Sequence, residues 1–181
     1  CFRNLALLFR NEYKNTKKAI EYIKKAVGLK KDCRGIIVDC AKIFTENNLN
    51  EQWLEIYDTL SEKLRMDGRI RLYKAIAHMK DLQTRGFTYS MDARWGETSR
   101  DCSSAVCESY NLGNGNTVTM DSTQLPNHGF EKVVENPYMA DGWSAQRGDV
   151  FILYPNGSSP AASAGAAGHT GIFIDNVNII H

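Results

Sequence analysis

Along this chain the spacing of apolar residues changes character once, near residue 86, and that change limits the folds open to it. Before it, apolar side chains recur every three or four residues, the period of one helix face. Over residues 2–27 they fall at Leu5, Leu8, Phe9, Tyr13, Ala19, Ile20, Ile23 and Val27, which predicts a helix with Gly28 just past its end. Residues 33–45 predict a second, with Ile36, Ile37, Cys40 and Ile43 on one side. "TENNLNEQ" breaks the pattern, and Asn50 is the expected cap of a third helix over 51–66, carrying Trp53, Leu54, Ile56, Tyr57, Leu60 and Leu64. A fourth, over 69–83, carries Ile70, Tyr73, Ile76, Ala77, Met79 and Leu82. The first 80 residues thus read as all-helical, with a small core from residues such as Leu8, Ile20, Ile23, Ile37, Trp53 and Leu60.

After Gly86, glycine, serine and asparagine rise and lysine nearly disappears. "FTYSMD" reads as a short strand or extended entry, and residues 102–110 suit a helix. "GDVFILY" and "HTGIFID" read as buried strands and "NVNIIH" as a third. "NGSSPAASAGAAG", 156–168, lacks anchoring side chains and predicts a mobile loop. The chain is therefore expected to be α+β, with a helical region over 1–69 and a mixed domain over 70–181.

Charge divides in a similar way. The net +1 of the 181 residues hides 17 Lys+Arg against 10 Asp+Glu over residues 1–80 and 5 against 11 over 81–181, which is +7 and −6. The basic part suits an anionic polymer such as nucleic acid, teichoic acid or a membrane surface, or else it is a solvated helical face. The longest apolar runs, "GIIV" and "GIFI", are too short to span a bilayer, and the start lacks the pattern of a signal peptide. Five cysteines, Cys1, Cys33, Cys40, Cys102 and Cys107, form no CxxC pair, and their odd number argues against a disulfide framework.

Two of these cysteines lie in "RDCSSAVCESY", residues 100–110. Asp101 can cap the helix that follows, which puts Cys102 in its first turn. A helix start favours negative charge, and the thiolate is the nucleophile of cysteine hydrolases. Ser103, Ser104 and Ala105 are small enough for a substrate to approach closely. Cys107 lies deeper in the helix and is expected to be a packing residue. The base must come from elsewhere. His78 falls inside the fourth helix and His128 in a "PNHG" turn, both surface or cap positions. His169 opens "HTGIFID" and His181 closes "NIIH", so adjacent strands would set them side by side, the first against the thiol and the second orienting it.

"TYSMD", "DCSSAV", "RGDVFI", "GAAGHTGIFID" and "NIIH" occur in this order. Together they resemble the bacteriophage peptidoglycan hydrolases of the NlpC/P60 superfamily, in the group called amidase family 5. The resemblance covers residues 70–181 and implies a papain-like α+β fold, in which a helix bearing the cysteine packs on an antiparallel sheet bearing the histidine. It implies that Cys102 is the nucleophile, His169 the general base and His181 the residue that holds the imidazole. It makes Tyr89 a tyrosine that stabilises the oxyanion or positions substrate; a core aromatic is the alternative. Asp101 matches the acidic residue of the "DCS" motif, with a purely capping role as its alternative, and Ser103 stands beside the nucleophile as a substrate-positioning residue. The Cys102 backbone N–H would serve the oxyanion hole. Asp149 and Asp175 also match family positions but suit strand-end turns better.

The activity so implied is a cysteine hydrolase of peptidoglycan. It would cleave the N-acetylmuramoyl–L-alanine amide or a D-glutamyl–diamino acid bond of the stem peptide, as a phage endolysin or tail-associated lysin acting at the bacterial wall; a secreted enzyme is the alternative location. An inactive wall-binding or phage structural module is the alternative function, and the presence of all three triad residues weighs against it. Zinc is a third alternative: Cys102, His169 and His181 are ligand types. However, no close pair such as HExxH occurs, so neither a metal nor another cofactor is expected. Residues 1–69 lie outside the resemblance; an anionic wall polymer or another phage protein is their expected partner, not nucleic acid. Related sequences continue past the equivalent of His181, which leaves room for a truncated C-terminus.

Overall fold

The computed structural model describes residues 1–110, 112, 127, 129–135, 142–155 and 168–181. The loop expected over 156–168 lies, but for Gly168, outside the described residues, as does His128. The chain divides into two compact units, Cys1–Asp81 and Leu82–His181.

The first unit is helical: α1 (Phe2–Asn11), α2 (Thr16–Leu29), α3 (Arg34–Glu46), α4 (Asn50–Asp58), α5 (Glu62–Arg65) and the greater part of α6 (Gly68–Thr84). The single helix expected over 2–27 is two. Lys14 adopts a left-handed φ of 50°, and the Asn15 side chain caps α2 by accepting from Lys18 N–H at 3.1 Å. Local capping chemistry stops a helix that apolar spacing alone would continue. At its other end α2 runs on to Leu29, so Gly28 lies inside it rather than past it. The helix expected over 51–66 is also broken. Thr59 ends α4, its Oγ1 donating to the Ile56 carbonyl at 2.8 Å, and α5 begins after Ser61. Asn50 is the first residue of α4 and not its cap, which is Leu49.

The core of this unit is built on Ile23, Ile37, Phe44, Trp53, Tyr57, Leu60 and Ile70, with Ile20 packed at its margin. Each large apolar side chain so buried contributes about 1.5–3 kcal/mol before entropy is counted. Leu8 is not part of it: it stands 41% exposed, because α1 buries only Ala6. Ion pairs at the edge, Arg10 with Glu46 and Arg34 with Asp67, tie elements distant in sequence.

Among the described residues, the second unit holds two small sheets and the helix between them in sequence. β1 (Thr88–Tyr89) pairs in parallel with β2 (Ser99–Arg100), Tyr89 opposite Arg100. α7 (Cys102–Ser109) follows directly. β3 (Val150–Leu153), β4 (His169–Phe173) and β5 (Ile179–Ile180) form an antiparallel sheet in the order β3-β4-β5. This is an α+β arrangement preceded by a helical region. α7 packs against β4, with Val106, Cys107 and Ile172 fully buried. Tyr110 Oη donates to the Gly148 carbonyl at 2.8 Å, anchoring the end of α7 near the start of β3. Arg100 reaches Glu108 through two bonds, at 2.6 and 3.0 Å, and so ties β2 to α7. Asp149 accepts from Gln146 N–H and Asp175 from Val177 and Asn178 N–H, the turn roles expected of them. No helix among the described residues is long and apolar enough to cross a membrane.

Candidate active site

Asp101 sits in extended conformation (ψ 177°) ahead of α7, where its carboxylate accepts from Ser104 N–H at 2.6 Å. Ser104 Oγ accepts in return from Asp101 N–H at 2.9 Å. This reciprocal capping box satisfies two of the backbone donors that a helix start leaves open. It makes Cys102 the first residue of α7, with 9% of its surface exposed.

Tyr89 is carried to Cys102 by the short parallel pairing of β1 with β2, and its Oη lies 3.9 Å from Cys102 Sγ. The residue is 62% exposed, so it is not a core aromatic. Its hydroxyl end is nevertheless partly withdrawn from water. That loss of hydration, then the neighbouring Cys102 and Asp101, pushes the phenol pKa up.

His169 opens β4 and His181 follows β5. Their facing nitrogens, Nε2 of His169 and Nδ1 of His181, are 2.9 Å apart, with the rings edge to face at 4.8 Å. Gly171 makes room for this contact. A Cβ built there would stand 2.7 Å from the Ile180 carbonyl and 2.8 Å from His181 Cβ, closer than real side chains approach. Burial, and then the charge of His181, holds the His169 pKa below its ordinary 6.5. The helix that begins with Cys102 packs on the strand that begins with His169, but no hydrogen bond joins the two side chains in this structure.

Ser103 is held on both sides: its hydroxyl faces the Asp101 carboxylate at 3.1 and 3.2 Å and accepts from Arg94 Nη2 at 2.7 Å. Arg94 also pairs with Asp101, Nε to Oδ2 at 3.4 Å. Sequence reasoning missed Arg94, which belongs to no periodic pattern. The one available signal was its rarity, as one of five cations in residues 81–181. Cys107 is fully buried, and burial pushes its thiol up to about 12, which suits packing and not attack. His78 lies within α6. Among the described residues no three His, Cys, Asp or Glu side chains are grouped to hold a metal ion.

A curated relative, the "Lysin" of Pneumococcus phage Dp-1, is 40% identical to this chain over 119 residues, which are 62% of this chain and 37% of the relative. The chain thus spans well under half of that relative's length. Residues 72–181 match the amidase family 5 profile, described as bacteriophage peptidoglycan hydrolase. That match takes in Tyr89, Cys102, His169 and His181, and by it the chain belongs to the family of bacteriophage peptidoglycan hydrolases.

Proposed function

We propose that this chain is a cysteine hydrolase that cleaves an amide bond of peptidoglycan, with Cys102 as nucleophile, His169 as general base and His181 as the group that orients the base. The observation that carries this reading is the 2.9 Å contact between His169 Nε2 and His181 Nδ1, on a sheet packed against the helix of Cys102. If His181 Nδ1 is the acceptor, the His169 proton sits on Nε2 and Nδ1 keeps a lone pair free to take the thiol proton. A protonated His181 would reverse the bond and leave His169 in the wrong tautomer.

In this mechanism His169 Nδ1 takes the proton of Cys102, and the sulfur attacks the carbonyl carbon of the stem peptide. Negative charge then develops on the carbonyl oxygen, where the Cys102 backbone N–H and the Tyr89 hydroxyl can donate. The imidazolium returns its proton to the leaving amine, a thioester forms, and water activated by His169 releases the acid. The bond is the N-acetylmuramoyl–L-alanine amide or the D-glutamyl–diamino acid bond. The papain-like fold of the NlpC/P60 superfamily, a catalytic region over 70–181 and action at the bacterial wall as a phage lysin belong to the same reading. Residues 1–69 would then target or dock the enzyme.

Digestion of defined muropeptides followed by mass spectrometry identifies the bond cleaved. Cys102→Ser is expected to lower kcat by about a thousandfold or more with the fold retained. Cleavage that persists in this variant, or in wild type alkylated at Cys102, would overturn the reading.

A further inference from the structure

Three side chains, Arg94, Asp101 and Ser103, meet at the start of the helix that bears Cys102, and none of them has a step in the mechanism above. Arg94 Nη2 donates to Ser103 Oγ at 2.7 Å, while its Nε faces Asp101 Oδ2 at 3.4 Å. The pair is well withdrawn from water, with the Arg94 side chain 20% and the Asp101 side chain 10% exposed. Asp101 is already committed to the helix start through Ser104 N–H, and the single hydroxyl proton of Ser103 is directed at the Asp101 carboxylate. Residues 94, 101 and 103 therefore close a ring of hydrogen bonds and one ion pair, and the last two flank Cys102 in sequence.

Charge explains why a cation belongs there. A carboxylate held out of water next to an attacking sulfur opposes the negative charge that builds on the substrate oxygen. A guanidinium paired with that carboxylate offsets the repulsion and leaves the cap intact. We infer that Arg94 is a positioning residue of the hydrolase: it fixes Asp101 and Ser103 on either side of the nucleophile and neutralises the capping carboxylate. This inference rests on the cysteine mechanism proposed above. Arginine suits the task because its Nη2 hydrogen-bonds Ser103 while its Nε faces Asp101 in an ion pair rather than a hydrogen bond; a lysine supplies the charge but has a single nitrogen for both partners. Ser103 accordingly braces the helix start, since its hydroxyl proton is spent on Asp101 and is not free for substrate.

The full chain is assayed on a soluble muropeptide as wild type, Arg94→Met, Arg94→Lys and the double variant Arg94→Met/Asp101→Asn, after a control in which wild type is alkylated with iodoacetamide and Cys102 modification is mapped by mass spectrometry. A wild type that survives alkylation removes the cysteine mechanism and this inference with it. With an alkylation-sensitive wild type, Arg94→Met is expected to lose about tenfold or more in kcat with KM changed less than about twofold. Arg94→Lys should fall between the two. The double variant should be faster than Arg94→Met, because asparagine still caps the helix but brings no uncompensated charge. Wild-type kcat in Arg94→Met, or a double variant no faster than the single one, overturns the inference. If melting curves show that Arg94→Met does not fold, Arg94→Lys decides: reduced kcat at unchanged KM supports the role, and wild-type kcat ends it.

Discussion

Cys102 and Cys107 share one short helix, yet their surroundings differ. Cys102 stands at the capped start with the Tyr89 hydroxyl near its sulfur, whereas Cys107 is sealed from solvent and its thiol is pushed up to about 12. Cys107→Ser should leave kcat within about twofold while lowering stability by about 1–3 kcal/mol, the cost of burying a hydroxyl without a partner; a melting curve and a muropeptide assay check both. His181 offers a finer test. Its Nδ1 would accept from His169 Nε2, and the Oδ1 of an asparagine sits at a comparable distance from its backbone. His181→Asn is therefore expected to retain several times the kcat of His181→Ala, which leaves the base without an orienting acceptor. The pH profile follows from His169. In the proposed mechanism the base works only when neutral, so activity is expected to fall as pH drops through its pKa. Because burial and His181 hold that pKa down, the acid limb of kcat/KM should lie below pH 6.5. In His181→Asn the charge that opposes protonation of His169 at low pH is gone, so the limb should move toward higher pH; an unmoved limb would show that no charge on His181 acts while His169 titrates.

At the scale of elements, the site depends on how closely two short strands approach. β4 opens with His169 and His181 directly follows β5, and Gly171 is the position at which a side chain would collide with the backbone of β5. Gly171→Ala should push the 180–181 segment outward and lower kcat by about tenfold or more, with a smaller relative loss of stability, because β5 is only two residues long. Proton NMR of the two imidazoles, with loss of their mutual titration, reports that displacement directly. The same scale explains where apolar periodicity misleads. The run over 2–27 continues through Lys14 and Asn15, but a left-handed residue followed by a side-chain cap ends one helix and starts another. β1 and β2, two residues each, are too short for alternation to register, and yet their pairing delivers Tyr89 to Cys102.

On the scale of the whole molecule, two compact units carry opposite charge. On the proposed reading, the basic excess of +7 over residues 1–80 draws the chain to an anionic wall polymer and takes no part in the chemistry. Reversing three exposed lysines, Lys17→Glu, Lys30→Glu and Lys31→Glu, takes that excess to +1 while sparing the core. Turbidity clearing of intact walls at low salt should slow, and the deficit should shrink as ionic strength rises above about 0.15 M, where charges farther apart than roughly 8 Å are screened. Cleavage of soluble muropeptides should not change. A variant equally slow on both substrates at every salt concentration would place these lysines in stability or catalysis and not in targeting.

Much of this protein is legible in its linear order because the signals are local. A helical period over 80 residues, a capping aspartate before a cysteine, and two histidines at the edges of apolar strand segments each need only neighbours in sequence to be recognised. They also carry the ordered motifs by which the family resemblance is seen. Other features depend on residues brought together across the chain. Leu8 fits the helical pattern but faces solvent, since periodicity says which residues share a face and not what covers that face. The ring of Arg94, Asp101 and Ser103 has no spacing to read, and the clearance at Gly171 exists only because Phe151, Ile180 and His181 converge on it. Contacts of that kind are settled by close packing in three dimensions, where a displacement of one methyl group is felt, and no one-dimensional pattern records them.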